Sequence, residues 1–363
     1  MIKINIIDMT TEGLSSEEII EFRKILSQQI KNARENSRHK ECLLCGKSGG
    51  FCKSHTIPKF CLDNIAWNGK VNSINTLLDT EILTKDSGVS NAGVFHIICR
   101  PCDGSTFQNY ENESAYNAEP TETTLNQIAL KNSLRDIYKH EMEVEIFEAL
   151  KELIKKKNPF MAFGASIFFN AQITARKTDI EECYGVFNKA KECLSSSNNW
   201  IRLLSYDKLN FTTPIAYQGM IALITGVNGE VINNIYNPKK SYNIEYLHLA
   251  IFPLKDSTAV ILFIDSESKR YSQFENYIKN TSQANRLEII NRIIFLYTED
   301  YFLSKNLDAE VTHSLEESAK ILQDIATTSP KRTLKNAVKD FDLRRDICIP
   351  NLLSKEYAVT AEA

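Results

Sequence analysis

Two Cys-x-x-C pairs, Cys42/Cys45 and Cys99/Cys102, have the spacing of metal ligands. Cysteines three positions apart in a tight turn can direct both sulfurs toward one ion, and two such turns complete a tetrahedral four-thiolate site. Gly46 follows the first pair, where the backbone must turn sharply. The spacing therefore predicts a zinc ion bound by all four cysteines. Because four thiolates leave no open coordination position, this zinc is expected to be structural.

Between and beyond these pairs are residues suited to hydrolysis of a phosphodiester. His55 lies in the segment 54–58, Asp103 directly follows the second pair, and Glu111 comes about two helical turns later. An imidazole titrates near neutrality and can act as a general base. Asp103 and Glu111 would share a helical face and offer the oxygen atoms that Mg²⁺ prefers. The simpler interpretation of His55 is a structural histidine that forms a hydrogen bond near the zinc.

This stretch resembles the HNH (ββα-metal, His-Me finger) endonucleases that carry a four-cysteine zinc site. In that family a histidine in a short motif with Ile and Pro follows the first Cys pair, and the second pair opens a helix with a metal ligand. The matching residues are the two pairs, the segment 54–58 and Asp103, within residues 40–115. The resemblance implies that His55 is the base that activates water and that Asp103 binds catalytic magnesium or manganese.

The sequence departs from the family pattern at several positions. Ser54 stands where an Asp or Glu often helps to hold the metal, and Asp103 replaces a terminal Asn or His. The usual Asn-Leu before the second pair is absent, and Asn91 and His96 are the nearest substitutes. Glu111, His96 and Asn91 are therefore candidate supporting residues for the catalytic metal. The alternatives are that His96 packs beside the zinc and that Glu111 is a solvated or salt-bridged helix carboxylate.

A local excess of positive charge flanks His55. The whole chain has a net charge of −3, so nucleic-acid binding is not indicated by its overall charge. Within 23–59, however, Lys and Arg are opposed only by Glu35 and Glu41. This excess fits a surface that contacts a phosphate backbone, although a solvated helix face would look the same. The candidate nucleic-acid contacts are Lys53, Lys59 and Arg100.

Length and composition indicate a globular protein with about two or three domains. The chain has 363 residues, of which 43% are hydrophobic and 25% are charged. Nine cysteines with two metal-type pairs and no signal peptide favour a cytoplasmic location. No apolar run is long enough to cross a bilayer, so no membrane partner is expected.

Hydrophobic periodicity predicts the elements that surround these residues. Helices are expected over 15–34, 124–157, 180–194, 271–280, 282–303 and 309–326. Strands are expected over 2–9, within 71–84, and over 215–225, 230–236, 246–254 and 258–265. Turns are predicted at Asp86-Ser87-Gly88, Asn228-Gly229 and Lys255-Asp256-Ser257.

The expected fold class is α+β, with a zinc-stabilised ββα-metal (HNH-like) module followed by a mixed helical and antiparallel-sheet domain. The predicted segments are an N-terminal strand and helix (1–36), the nuclease module (37–120), an α+β domain of unassigned role (121–330) and a tail (331–363). The α+β domain contains no phosphate-binding loop or second metal cluster. It is a candidate site for substrate selection, a protein partner or homodimer formation.

These features together predict a cytoplasmic, metal-dependent endonuclease of HNH type. DNA is favoured over RNA as the substrate, and bacterial anti-phage defence is a suitable setting. The alternative is a non-catalytic zinc module that binds nucleic acid or a protein partner. Ser54 favours the alternative, whereas the combination of His55 and Asp103 favours the enzyme.

Overall fold

The chain contains both helices and antiparallel strands. The computed structural model describes residues 16–74, 83–157, 162–196, 199–237, 239, 241–326, 333–345 and 347–359. The helices are α1 (Ser16–Asn36), α2 (Lys59–Ile65), α3 (Arg100–Thr106), α4 (Glu122–Lys157), α5 (Ala162–Glu192), α6 (Ser272–Asn280), α7 (Gln283–Tyr297), α8 (Ala309–Ala326) and α9 (Leu334–Asp340), with 3₁₀ turns at Glu113–Tyr116 and Lys355–Tyr357. The strands are β1 (Ser54–His55), β2 (Lys70–Ile74), β3 (Leu83–Gly88), β4 (Val94–Phe95), β5 (Ile201–Leu209), β6 (Ile215–Ile221), β7 (Leu247–Pro253), β8 (Thr258–Asp265) and β9 (Phe302–Ser304).

A seven-stranded antiparallel sheet has the order β3-β2-β9-β6-β7-β8-β5. In its centre Tyr217 lies opposite Ile251, which in turn lies opposite Val260. The short strand β9 joins β2 and β3 to the rest of the sheet. Val71 of β2 pairs with Ser304 on one side of β9, and β6 pairs with β9 on the other side. A separate two-stranded sheet is formed by β1 and β4.

Both faces of the large sheet are covered by helices. Leu249 and Ile251 of β7 face a core with Phe274 of α6 and residues of α7. Ala250 and Phe252 of the same strand face a second core, formed with α4, α5 and the segment that contains the cysteine pairs. The central strands are therefore buried on both faces, which explains their nearly continuous apolar sequences.

The long helix α4 runs through the interior along its first half. Residues 124–137 are all buried, including polar and charged side chains. Buried polar groups need hydrogen-bond or ionic partners, so this half of α4 must be matched by polar groups on its neighbours. The second half packs against α5 and α1, where Ala33 contacts a third cluster with Phe147 and Phe169. No helix in the described ranges is both long and apolar enough to span a bilayer.

The edge strand β5 carries charged side chains that are held by neighbouring parts of the chain. Arg202 Nε lies 3.2 Å from a carboxylate oxygen of Glu275. Asp207 accepts two hydrogen bonds from the guanidinium of Arg286. Lys208 Nζ donates to the backbone and side-chain oxygens of Asn117, which lies in the segment before α4. These contacts anchor the strand to α6, α7 and the segment before α4.

The α+β class with antiparallel sheets is confirmed. The helices expected over 124–157, 271–280 and 309–326 and the strands expected over 246–254 and 258–265 are present with small changes of boundary. The helix predicted over 15–34 is α1, and the one predicted over 180–194 is the end of the longer α5. The strand predicted over 2–9 lies outside the described residues.

Three predictions of local structure were wrong. Residues 230–236 are not a strand, because the Asn233 side chain donates to the carbonyls of Leu223 and Glu245 and holds the chain away from the sheet. The helix predicted over 282–303 ends at Tyr297, and the chain then continues into β9. The predicted turn at Asp86-Ser87-Gly88 is the end of β3, and β5 was not predicted at all.

Candidate metal centre and adjoining polar site

The four cysteines of the two Cys-x-x-C pairs form a cluster that is able to bind a metal ion. Their sulfur atoms all lie within 4.8 Å of one another, with Cys45 Sγ and Cys99 Sγ 3.8 Å apart. Backbone hydrogen bonds bring the two turns together, since Leu43 N–H donates to the carbonyl of Ile97 at 3.1 Å. Gly46 has a φ of 70°, as the predicted sharp turn after the first pair requires.

The pKa values of Cys42 and Cys102 are shifted in opposite directions. Burial alone would raise the pKa of Cys42, but backbone hydrogen bonds from its own turn and from Cys99 lower that pKa to about 7. One of these bonds joins Cys99 N–H to Cys42 Sγ at 3.3 Å. Burial and hydrogen bonds with the neighbouring thiols raise the pKa of Cys102. A bound cation would favour the thiolate form of all four cysteines.

Next to the cysteines, the two-stranded sheet of β1 and β4 meets a helix. Ser54 and His55 of β1 pair with β4, and α3 begins directly after Cys99 with a proline in its first turn. The Asp103 N–H donates to the carbonyl of Cys99, which fixes the first turn of α3. Ser54 Oγ then donates to Asp103 Oδ1 at 2.7 Å. The cysteine cluster, the two-stranded sheet and the helix thus converge on the Asp103 carboxylate.

The same carboxylate has a second partner, Lys131 of α4, which the sequence did not indicate. Its Nζ lies 2.9 Å from Asp103 Oδ1, 2.8 Å from Ser54 Oγ and 3.9 Å from Glu111 Oε1. The Lys131 side chain is 0% exposed and stands 3.9 Å over the ring of Phe107. The only sequence signal for it is a lysine placed between apolar residues at helical spacing, as in the 128–134 segment.

His55 is half-buried beside this cluster. Its Nε2 lies 3.2 Å from the carbonyl oxygen of Val89, and adjacent residues of a strand point to opposite faces. Burial lowers the pKa of His55, Lys131 and Lys59 lower it further, and the Val89 carbonyl and Asp103 oppose this. By this alternation the His55 ring lies on the opposite face of β1 from Ser54 and its partner Asp103, and the Val89 carbonyl is its hydrogen-bond partner. The lowered pKa favours the neutral ring at pH 7.

Glu111 and Asp103 form the partly exposed side of the cluster. Their side chains are 38% and 26% exposed, whereas Lys131 beneath them is inaccessible. Burial raises the pKa of Glu111, and the positive charge of Lys131 lowers it. The Lys59 N–H donates to Glu111 Oε2 at 3.4 Å. The two predicted oxygen ligands thus face one ammonium and are reachable from solvent.

The other predicted supporting residues lie among basic side chains. Asn91 Oδ1 accepts a hydrogen bond from Lys53 Nζ at 2.7 Å. Burial lowers the pKa of His96, and the charges of Arg38 and Lys53 lower it further. Within the described ranges, no hydrogen bond or ion pair joins Asn91 or His96 to Asp103. The predicted nucleic-acid contacts Lys53, Lys59 and Arg100 are all exposed.

A buried chain of hydrogen bonds connects the site to the large sheet. Tyr110 Oη donates to Gln218 Oε1 at 2.9 Å, and Gln218 Nε2 donates to Asn132 Oδ1 at 2.7 Å. Asn132 Nδ2 lies 3.1 Å from Nδ1 of His248. Because Asn132 is next to Lys131 on α4, this chain holds the part of α4 that carries Lys131 against the sheet.

The chain matches no protein-family model, no curated protein and no solved structure. Its function must therefore be inferred from the chemistry of the cysteine cluster and of the adjoining polar residues.

Proposed function

We propose that this protein is an HNH-type endonuclease that hydrolyses phosphodiester bonds, with DNA as the preferred substrate. The observation that supports this most directly is the 2.7 Å hydrogen bond between Ser54 Oγ and Asp103 Oδ1. It joins β1, which carries His55, to α3, which contains the end of the second Cys pair. The proposed base His55 and the proposed metal ligand Asp103 thereby belong to one structural unit, in which a base and a cation could act on one phosphodiester.

In this proposal the four cysteines bind a structural zinc ion. Four thiolates suit zinc and leave no position for a substrate, so the ion stabilises the two-stranded sheet and α3 but takes no part in the reaction. Reduced cysteines of this kind are consistent with a cytoplasmic protein, and anti-phage defence is the setting we propose.

His55 is the proposed general base. Its lowered pKa keeps the ring neutral at pH 7, so that it can accept a proton from water. The exposed oxygens of Asp103 and Glu111 are hard donors that fit magnesium or manganese. When bound, such a cation would supply positive charge next to the scissile phosphate. Lys53, Lys59 and Arg100 are exposed around this site and would contact the phosphate backbone.

A plasmid-nicking assay tests the proposal. Zinc-loaded protein, His55→Ala and a control His313→Ala are incubated with supercoiled plasmid and Mg²⁺ or Mn²⁺. His313 is an exposed histidine on α8, so its replacement should leave nicking unchanged. Loss of the base should reduce the nicking rate by about 10²-fold or more. A parallel reaction with single-stranded RNA separates the two substrates.

Two observations favour the alternative of a non-catalytic zinc module. The ion pair between Asp103 and Lys131 already gives the carboxylate a partner. The His55 ring contacts the Val89 carbonyl and lies on the opposite face of β1 from Ser54. Equal nicking by the wild-type protein and His55→Ala, or no nicking with any metal, would support this alternative. In that case Lys53→Ala should still weaken DNA binding in a fluorescence-anisotropy titration. A protein partner or a homodimer formed through residues 121–330 remains part of the alternative.

A further inference from the structure

Lys131 occupies the buried side of the proposed cation site. Its ammonium touches Ser54 Oγ and Asp103 Oδ1 and lies near Glu111 Oε1. Ser54 accepts from Lys131 and donates to Asp103, so the serine is fully engaged. The buried side of the Asp103 carboxylate is thus taken by a hydroxyl and a positive charge of the protein itself.

The ammonium has no alternative position within this arrangement. Its side chain is inaccessible to solvent and is surrounded by the rings of Phe107, Tyr110 and Phe95, with Nζ 3.9, 5.3 and 5.8 Å from their centroids. Removing a lysine ammonium from anionic and aromatic partners without solvation is unfavourable. Lys131 should therefore keep its place while other ligands bind and leave the exposed side of Asp103 and Glu111.

The charge balance of the cluster limits its affinity for a divalent ion. Two carboxylates and one ammonium leave at most one net negative charge, and Lys131 repels an approaching cation across a poorly solvated site. The thiol of Cys52 also faces Asp103, but burial raises its pKa to about 11, so it adds no charge at pH 7. Magnesium sites with one or two carboxylates commonly depend on substrate phosphates as further ligands.

We infer that Lys131 is a built-in counter-ion that prevents Asp103 and Glu111 from holding a divalent cation until a substrate phosphate is present. The inference rests on the proposed nuclease function and specifies how its site is regulated. The phosphate supplies both an additional oxygen ligand and the missing negative charge. Metal and nucleic acid consequently bind together, and the protein without DNA stays free of a reactive metal.

Manganese binding tests this inference without relying on cleavage. Free Mn²⁺ is measured by electron paramagnetic resonance with the zinc-loaded full-length chain carrying His55→Ala, with and without a short DNA duplex. We expect binding to tighten by about tenfold or more when DNA is added. Adding Lys131→Met should tighten binding by about tenfold or more without DNA, because the repelling charge is lost. Lys155→Met, an exposed lysine on the same helix, should change nothing.

Two results would overturn the inference. The first is an Mn²⁺ affinity without DNA that is the same whether or not the His55→Ala protein also carries Lys131→Met. The second is an Mn²⁺ affinity of the His55→Ala protein that does not change when DNA is added. If Lys131→Met loses its zinc or its cooperative unfolding, Glu111→Gln provides the test, because it should reduce DNA-dependent Mn²⁺ binding by about tenfold. Unchanged binding in that variant also overturns the inference.

The nuclease function and the role of Lys131 can fail separately. The expected Mn²⁺ pattern without plasmid nicking would support the counter-ion role and refute the nuclease. Nicking that depends on His55, combined with tight Mn²⁺ binding in the absence of DNA, would support the nuclease and refute the counter-ion role.

Discussion

At the scale of single residues, Asp103 combines a predicted role in metal binding with a contact that the sequence did not indicate. Its position after the second Cys pair predicted a metal ligand, and its partly exposed side chain is compatible with that prediction. Its other contact is with Lys131, and this pairing depends on the tertiary packing of α4 against α3. A substitution at Asp103 therefore affects the stability of the protein as well as any metal binding.

We predict that Asp103→Ala is strongly destabilising. Lys131 is inaccessible to solvent, so removal of the Asp103 carboxylate leaves a buried ammonium without its nearest carboxylate, and the free energy of unfolding should fall by about 3 kcal/mol. The double variant Asp103→Ala/Lys131→Met should lose less than the sum of the two single variants. Urea unfolding of zinc-loaded proteins measures both effects. Asp63→Ala breaks the exposed pair with Lys59 and should change the free energy of unfolding by less than about 1 kcal/mol. Equal effects of Asp103→Ala and Asp63→Ala would contradict the prediction.

The second residue-scale prediction concerns pH. A general base works only in its neutral form, so the nicking rate should rise with pH through the pKa of His55 and then level off. Because burial lowers that pKa, the midpoint should lie below the ordinary value of 6.5. Single-turnover nicking rates measured between about pH 5 and pH 8 give this midpoint. A midpoint above 6.5 would argue that another group limits the reaction.

At the scale of elements, the site is built from pieces that are too short to be stable alone. β1 and β4 have two residues each and α3 has seven, whereas isolated hairpins and short helices are marginal in water. They are held by the cysteine cluster on one side and by α4 on the other. Hydrophobic periodicity predicted the long helices and the apolar strands β7 and β8. Elements as short as β1, β4 and α3 leave too weak a periodic pattern to be predicted in this way.

We therefore predict that removal of the cysteine-bound metal releases these elements selectively. After treatment with a zinc chelator, the amides of Thr56 and Asp103, which donate to Gly93 and Cys99, should exchange faster with deuterium. The amides of β7 should remain protected, because that strand is buried within the large sheet. Hydrogen exchange followed by mass spectrometry measures both regions in one experiment. Unchanged exchange at Thr56 would mean that the metal does not support the two-stranded sheet of β1 and β4.

At the scale of the whole molecule, the large sheet connects parts of the chain that the sequence presented as separate. Residues 117–119 near the predicted boundary at 120 are exposed. However, Lys131 of α4 reaches back to the site, and β2 pairs with β9 across most of the chain. Periodicity shows where an element is buried but not which distant element it meets. For this reason the candidate metal ligands could be chosen from the sequence, whereas Lys131, whose charge balances that of Asp103, could not.

The edge strand β5 has a further consequence for how copies of this protein meet. The open edge of a sheet can template pairing with a strand of another molecule, and charged side chains along an edge oppose such pairing. On β5, Arg202, Asp207 and Lys208 are tied to neighbouring loops and helices of the same chain. The charges held along this edge therefore oppose the addition of a foreign strand. Assembly through this edge, including the kind that leads to aggregation, is thus disfavoured, and a second copy would have to dock elsewhere.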